Sequence, residues 1–245
     1  MPRFAVILPA AGASTRFGAG SGKLLVELTE GVPVIALTLQ AFLVRQDVDA
    51  VVIAAPPGIR WPPAPTNAAL ERALGDRRVV RCEGASSRAE SVRNALALVP
   101  ASVEWVAVHD AARPLASAGL INRVFDAAAH YGAAVPALPV VPTVKQADGP
   151  LPAKVQRTVP RQSLWAVQTP QVARRAALDA AYATCPVPLG QVTDEAQLLE
   201  LAGYDVWLVA GEERNLKITT PDDLLVARAH LAHAPPPGDR PDRRP

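Results

Sequence analysis

Residues 4–25 read FAVILPAAGASTRFGAGSGKLL: a mostly apolar hexamer runs into a stretch of Ala, Gly, Ser and Thr that carries two charges, Arg16 and Lys23. An apolar run ending in a nearly side-chain-free loop is the pattern of a buried strand that delivers a ligand loop at its carboxyl end. Small residues let backbone N–H groups approach a ligand closely, and cations suit an anionic one, so the stretch predicts a phosphate site. It is not a P-loop. That pattern needs Gly where Phe17 stands and a hydroxyl residue where Leu24 follows Lys23. Nor does AAGASTRFG supply the GxGxxG of a dinucleotide fold. A glycine-rich turn with solvated cations is the alternative that the loop alone leaves open.

Outward from the loop, the strand pattern recurs. AVVIAAP (50–56), RVVRC (78–82), WVAVHD (105–110), AAVPALPV (133–140) and YDVWLVAG (204–211) are apolar on both faces, as strands of a helix-covered parallel sheet are. Helical periodicity fills the intervals at 33–46, 87–99, 116–132, 193–203 and 220–233. Thr193 is the expected N-cap of the fourth, with Gly203 just past its end. Thr220 caps the fifth, with Pro221 at the first helical position and two acids behind it. The alternation predicts an α/β fold, a mostly parallel open sheet flanked by helices.

Two segments break the rhythm. Residues 56–77 open with PPGIRWPPAPTN and read as a Pro-rich surface excursion. Residues 139–162, PVVPTVKQADGPLPAKVQRTVPRQ, are too polar for core strands and read as a projecting β-arm. The expected organisation is one domain over 1–233 that includes this arm. The tail 234–245, APPPGDRPDRRP, has no apolar anchor and is expected to be disordered.

Composition narrows the function class. With 49% apolar and 20% charged residues, the chain has the make-up of a globular protein. A net charge of +2 and 4% aromatics give no reason to expect a nucleic-acid partner. No run approaches the roughly 18 apolar residues of a membrane span. The N-terminal run leads straight into the glycine loop, without a signal-peptide layout, so a cytoplasmic location is expected. Cys82 and Cys185 fit no metal spacing and read as reduced core thiols.

Polar islands fall where ligands meet such sheets. HDAARP (109–114) puts Asp110 at a strand end, where a carboxylate serves as metal ligand or helix cap. GASSRAESV (84–92), QTPQ (168–171), TDEA (193–196) and RNLKITTP (214–221) are the others. Together with PAAG and the seven-residue interval from Arg16 to Lys23, these motifs stand in the order and approximate spacing of one family. From about residue 4 to residue 232 the chain resembles the 2-C-methyl-D-erythritol 4-phosphate cytidylyltransferases of the non-mevalonate isoprenoid pathway.

The resemblance implies a Rossmann-like nucleotidyltransferase fold whose arm builds a homodimer. It implies the joining of CTP to methylerythritol phosphate with release of pyrophosphate, with Mg²⁺ as cofactor. Carried over residue by residue, Arg16, Lys23, Asp110 and Lys217 would be catalytic, Asp110 also holding the metal. Ala10, Ala11 and Gly12 would contact CTP through their backbone, with Ala85, Ser86, Ser91 and Ala111 completing the nucleotide subsite. Arg113 and Thr169, with Thr143 and Arg161 of the partner's arm, would hold the methylerythritol phosphate. The phosphate nucleophile needs no general base, and His109 is expected to be structural. Two departures stand out. Gly22 and Leu24 replace the family's Pro and Gln around the loop lysine, and Ala85, Ser86 and Ser87 replace a Gly-Asp-Glu run in the base loop. Alternative readings are a cytidylyltransferase for another polyol phosphate, such as ribitol 5-phosphate, and a non-catalytic nucleotide-binding protein of the same fold.

Overall fold

The computed structural model describes residues 2–12, 17, 22–56, 62 and 67–233. Strand β1 (Phe4–Pro9) is followed by a small ribbon, β2 (Glu27–Thr29) with β3 (Val32–Pro33), then α1 (Val34–Leu43), β4 (Val48–Ala55), α2 (Ala68–Leu74) and β5 (Val79–Glu83). Next come α3 (Arg88–Leu96), β6 (Trp105–Val108), α4 (Ala118–Tyr131) and β7 (Ala133–Pro139). A hairpin of β8 (Val144–Ala147) and β9 (Val155–Val159) precedes β10 (Trp165–Val167) and β11 (Gln171–Arg174). The chain continues through α5 (Arg175–Thr184), α6 (Glu195–Leu201), β12 (Trp207–Ala210) and α7 (Pro221–Ala232).

The main sheet runs β10-β7-β11-β6-β1-β4-β5, with β12 on the free edge of β7. Strands β6, β1, β4 and β5 are mutually parallel, as are β12 and β7; β10 and β11 run antiparallel to their neighbours. The alternation of β1 sorts its side chains between two cores. Phe4, Val6 and Leu8 face a layer containing Ile35, Phe42, Leu120 and Phe125, while Ala5 and Ile7 face one containing Val92, Leu178 and Leu198. Burying one such Leu or Phe side chain stabilises the fold by about 1.5–3 kcal/mol.

Capping follows the sequence at α7, where Thr220 accepts from Asp223 N and the Asp223 carboxylate returns the bond to Thr220 N. At α6 the cap is Asp194, not Thr193: its carboxylate accepts from Gln197 N at 2.9 Å. Thr193 instead bonds to the Gln197 side chain. Gly203 takes a positive φ of 81° just past that helix, the conformation that favours glycine.

Three other readings need correcting. The segment 204–211 is not covered on both faces, because β12 is an edge strand and Trp207 and Leu208 are about half-exposed (47% and 46%). The excursion at 56–77 contains α2, capped by the Asn67 side chain accepting from Ala69 N at 2.8 Å. Cys82 and Cys185 are free thiols but half-buried rather than core. Within 139–162, β8 and β9 pair antiparallel as a two-stranded sheet of their own. The tail 234–245 lies outside the described residues. No helix among the described residues is long and apolar enough to cross a membrane.

Candidate functional site

Strands β6, β1, β4 and β5 end on one side of the sheet. His109 N donates to Ile7 O (2.9 Å), Ala10 N to Ala54 O (2.8 Å) and Gly84 N to Ala55 O (2.7 Å). Three loops therefore leave the sheet in step: 10–12, 84–87 and 109–113. Between them lies a cleft of about 380 Å³. Its lining includes Ala10, Ala11, Gly12, Lys23, Ala85, Ser86, Ser91, Asp110, Ala111 and Lys217, ten of the residues singled out from the sequence. Pro9, Leu24, Ser87, Arg88, Ala112 and Thr219 complete it. Arg16 lies outside the described residues.

The floor of the cleft is built by close approach. A Cβ on Gly84 would stand 2.3 Å from the Ala11 Cβ and 3.0 Å from Ala55 O, so only glycine lets the first and second loops touch. Ser91 is buried and its hydroxyl is fully engaged, accepting from Ala85 N (2.8 Å) and donating to Ser87 O (2.8 Å). It shapes the loop from within. Ser87 caps α3 in a reciprocal pair with Glu90. Lys23 opens a short 3₁₀ turn closed by Leu25 N on Gly22 O at 2.6 Å.

Electrostatically, Asp110 is the centre. The residue is 7% exposed. Lys217 Nζ lies 3.1 Å and Arg113 Nε 3.2 Å from its Oδ2, and Arg88 Nε lies 3.6 Å from Oδ1. Burial alone would raise the Asp110 pKa. The charges of Lys217, Arg88 and Arg113 outweigh it and hold the carboxyl well below the usual carboxylate range. Behind it, Arg88 Nη1 pairs with the buried Glu195 Oε1 at 2.8 Å. Burial pushes the Glu195 carboxyl up, against the opposing charge of Arg88. The result is a charge ladder of Lys217, Asp110, Arg88 and Glu195 that runs from the cleft into the interior.

A second network fixes the backbone under Asp110. Thr169 Oγ1 accepts from Asp110 N (3.0 Å) and meets His109 Nδ1 (3.1 Å). His109 Nε2 lies 3.0 Å from Arg113 O. Arg113 Nη1 donates to Asn215 O (2.7 Å), and Asn215 Nδ2 donates to Thr169 O (2.8 Å). Three loops distant in sequence are thereby tied at one point. Thr38 Oγ1 adds α1 by donating to Ala111 O at 2.9 Å.

Of the residues assigned to the phosphate acceptor, none lines this cleft. Thr169 is buried with its hydroxyl engaged, and Arg113 faces Asp110 and Asn215. Thr143 and Arg161 are exposed and belong to the segment that carries the hairpin; Arg161 donates to Val141 O. Sequence reasoning assigned no role to Arg88 or Glu195, although RAESV and TDEA were singled out. Among the described residues no cluster of three or more His, Cys, Asp or Glu stands ready for a metal, and Asp110 is the one carboxylate lining the cleft.

The family model for IspD, 2-C-methyl-D-erythritol 4-phosphate cytidylyltransferase, matches residues 4–233. The protein of that name from Gloeobacter violaceus is 42% identical over 234 residues, covering 92% of this chain and 95% of its own. The Thermus thermophilus enzyme structure superposes with a TM-score of 0.74 at 37% identity, covering 95% of this chain and all (100%) of its own. The Francisella tularensis structure gives a TM-score of 0.78 at 32% identity, covering 94% of this chain and 100% of its own.

Proposed function

The chain belongs to the 2-C-methyl-D-erythritol 4-phosphate cytidylyltransferase family, and on that premise we propose how its cleft joins CTP to 2-C-methyl-D-erythritol 4-phosphate. The products are 4-diphosphocytidyl-2-C-methyl-D-erythritol and pyrophosphate. A phosphate monoester oxygen attacks the α-phosphorus of CTP, a new P–O bond forms, and the α–β bridging bond breaks with its electron pair leaving on pyrophosphate. The attacking group is largely dianionic at neutral pH, its second pKa being about 6, so no general base is needed. His109, buried with both ring nitrogens engaged, is not placed to act as one.

Catalysis then rests on alignment and charge. The observation that carries this reading is the Lys217 ammonium held 3.1 Å from Asp110 Oδ2 in a cleft shared with Lys23. Asp110 fixes Lys217, and the two lysines offset the charge that builds on the phosphate oxygens. Ala10, Ala11 and Gly12 line the same space, and Arg16 follows four residues on in the sequence.

Mg²⁺ takes one or two carboxylates, substrate phosphates and water, so a single Asp suits it once a nucleotide is bound. Asp110 would hold the ion, which would neutralise phosphate charge. Thr143 and Arg161 do not line the cleft of their own chain, and the reading supported by this is a homodimer in which the arm of one copy completes the acceptor site of the other. The location proposed is the cytoplasm.

The test is pyrophosphate release from CTP with the methylerythritol phosphate present or omitted. Release that depends on both is expected. Release with ribitol 5-phosphate at equal or greater kcat/KM, or no release at all, would overturn the assignment.

A further inference from the structure

Lys23 and Lys217 line one cleft but come from opposite ends of the chain, and helix α7 touches the segments that carry both. On the Lys217 side it is fixed at both its ends. At the N-terminus the Asp223 carboxylate accepts from Thr219 N and Thr220 N, both at 2.8 Å, just after Lys217. At the C-terminus Arg214 Nη2, just before Lys217, donates to His230 O at 2.8 Å, one of the carbonyls that a helix end leaves open. Burial works to raise the Asp223 carboxyl. The bonds from Thr220 and Thr219 outweigh it and hold the group below its ordinary value, with the charge of Lys23 adding to them. Residues 214–220 and α7 are thus one rigid piece.

The Lys23 side is held differently. The short turn that Lys23 opens leads into the ribbon of β2 and β3, which is paired only at Glu27 with Pro33 and Thr29 with Val32. A ribbon that short does not fix its own position. Leu24 and Leu28 share one core cluster with Leu224 and Ala227 of α7, which sets its depth, but apolar packing has no direction. Arg228 supplies the direction. Its Nη2 donates to Glu27 O at 2.7 Å and its Nε to Leu28 O at 3.3 Å, so one planar fork grips two consecutive carbonyls of β2.

We propose that Arg228 is a positioning residue for Lys23: by clasping β2 to α7 it holds Lys23 at a fixed place relative to the Lys217 segment, so that both ammonium groups meet one bound polyphosphate. Arg228 is exposed and does not line the cleft. It acts through the backbone of residues 23–28. Its leverage is large because a displacement of about 1 Å at a charged contact costs up to about a hundredfold in rate. The inference rests on the reading of the cleft as the polyphosphate site of the proposed reaction.

A double-mutant cycle on the full-length protein tests it. Two quantities are read: kcat/KM for CTP in pyrophosphate release, and affinity for inorganic tripolyphosphate by calorimetry, which requires no chemistry. Arg228→Met keeps an aliphatic stem and removes both donors. It is expected to lower each quantity about tenfold, within the range that coupled neighbours show. The melting temperature should stay close to that of the wild type, since the side chain is exposed. In a Lys23→Ala background the same substitution should cost less than about twofold further, because the residue it positions is gone. A general loosening of the fold, or a loss of long-range charge, would give the same factor in both backgrounds. Equal factors, no loss in the wild-type background, or no binding of tripolyphosphate by the wild type overturns the inference. A tripolyphosphate cycle that comes out as expected, from a protein that releases no pyrophosphate with both substrates present, would instead sink the proposed reaction and leave the role of Arg228 standing.

Discussion

The Thr169 hydroxyl and His109 Nδ1 are 3.1 Å apart, and the direction of that hydrogen bond is set by their neighbours. Arg113 O beside Nε2 can only accept, so in the neutral ring the proton sits on Nε2 and Nδ1 takes the proton of Thr169 Oγ1, which itself accepts from Asp110 N. Nδ1 is therefore the acceptor, and Nε2 carries the proton it donates to Arg113 O. The ring is neutral, with one tautomer selected.

That neutrality has a pH signature. Burial pushes the His109 pKa down to about 4, from an ordinary value near 6.5. Between these values the unfolded chain binds a proton that the folded chain refuses, so stability rises with pH through the window and is lost as pH falls through it. The full penalty, about 3 kcal/mol, is reached below pH 4. Asp110 adds its acid loss only below the ordinary carboxylate pKa, and Glu195, raised by burial, acts in the opposite sense. Urea unfolding at pH 7.5 and 5.0 should show the wild type losing roughly 2 kcal/mol more than His109→Asn, which keeps an acceptor for Thr169 but does not titrate. Equal losses would mean that His109 is protonated in the fold.

Lys217 is 40% exposed at its side chain, so its removal should cost activity rather than stability. Lys217→Met is expected to lower kcat about a hundredfold, the scale of one electrostatic contact to developing charge, with little change in melting temperature. Lys23→Ala should behave alike. Turnover near wild type in either variant would remove the phosphate cradle from the mechanism.

Arg88 and Glu195 form a pair 107 residues apart in sequence, with Glu195 at 3% side-chain exposure. Glu195→Ala leaves the Arg88 guanidinium with only the more distant Asp110 carboxylate, 3.6 Å away, and should destabilise the fold by about 3 kcal/mol. The double variant Arg88→Met, Glu195→Leu removes both charges and should recover most of that stability. It should not recover activity, because Asp110 then keeps only Lys217 and Arg113. A double variant as unstable as Glu195→Ala would show that packing, not charge, sets the cost.

How far such relations can be read ahead of a structure depends on their range. The runs behind β1, β4, β6 and β7 were legible because a strand covered on both faces has no polar positions to blur it. Helix α7 was legible through Thr220, Pro221 and two acids in consecutive positions. The short exposed strand β10 and helix α5, which buries only Leu178 and Ala181, carry no comparable period. Thr193 and Asp194 are adjacent residues that can both cap a helix, Asp somewhat the better, and the structure uses Asp194. Asp110 could be placed at a strand end from local pattern alone. Its brace by Arg88, and the anchoring of Arg88 by Glu195, depend on α3 and α6 meeting over the sheet, which no local spacing encodes.

Gly84→Ala tests the floor of the cleft. The added Cβ meets the Ala11 Cβ at 2.3 Å, with the Ala55 carbonyl at 3.0 Å on another side. One of the two loops must move, at a cost of about 1–3 kcal/mol. CTP affinity should fall about tenfold or more, while the Phe42 and Phe125 core, on the far side of β1, keeps its packing. Unchanged CTP affinity by titration would show that these loops do not jointly form the nucleotide floor.

The hairpin carries the last prediction. Strands β8 and β9 bond only to each other, across pairs such as Lys145 with Thr158 (2.6 Å) and Arg157 with Gln146 (2.7 Å). Val141 and Leu151 in this segment are 70% and 89% exposed. A two-stranded ribbon with bare apolar residues is marginal in water, so a second copy of the chain is expected to cover it. If Arg161 serves the partner's acceptor site, Arg161→Glu should raise the KM for the methylerythritol phosphate far more than that for CTP. Mixing Arg161→Glu with Lys23→Ala subunits should then restore turnover. In the mixed dimer the cleft of the Lys23→Ala subunit receives the damaged arm and holds both lesions, while the other cleft holds neither. Random exchange makes half the dimers mixed, each with one intact site of two, so activity should approach about a quarter of wild type. Sedimentation that shows exchanged dimers, together with activity no higher than that of either parent, would assign Arg161 to its own subunit or to no site at all.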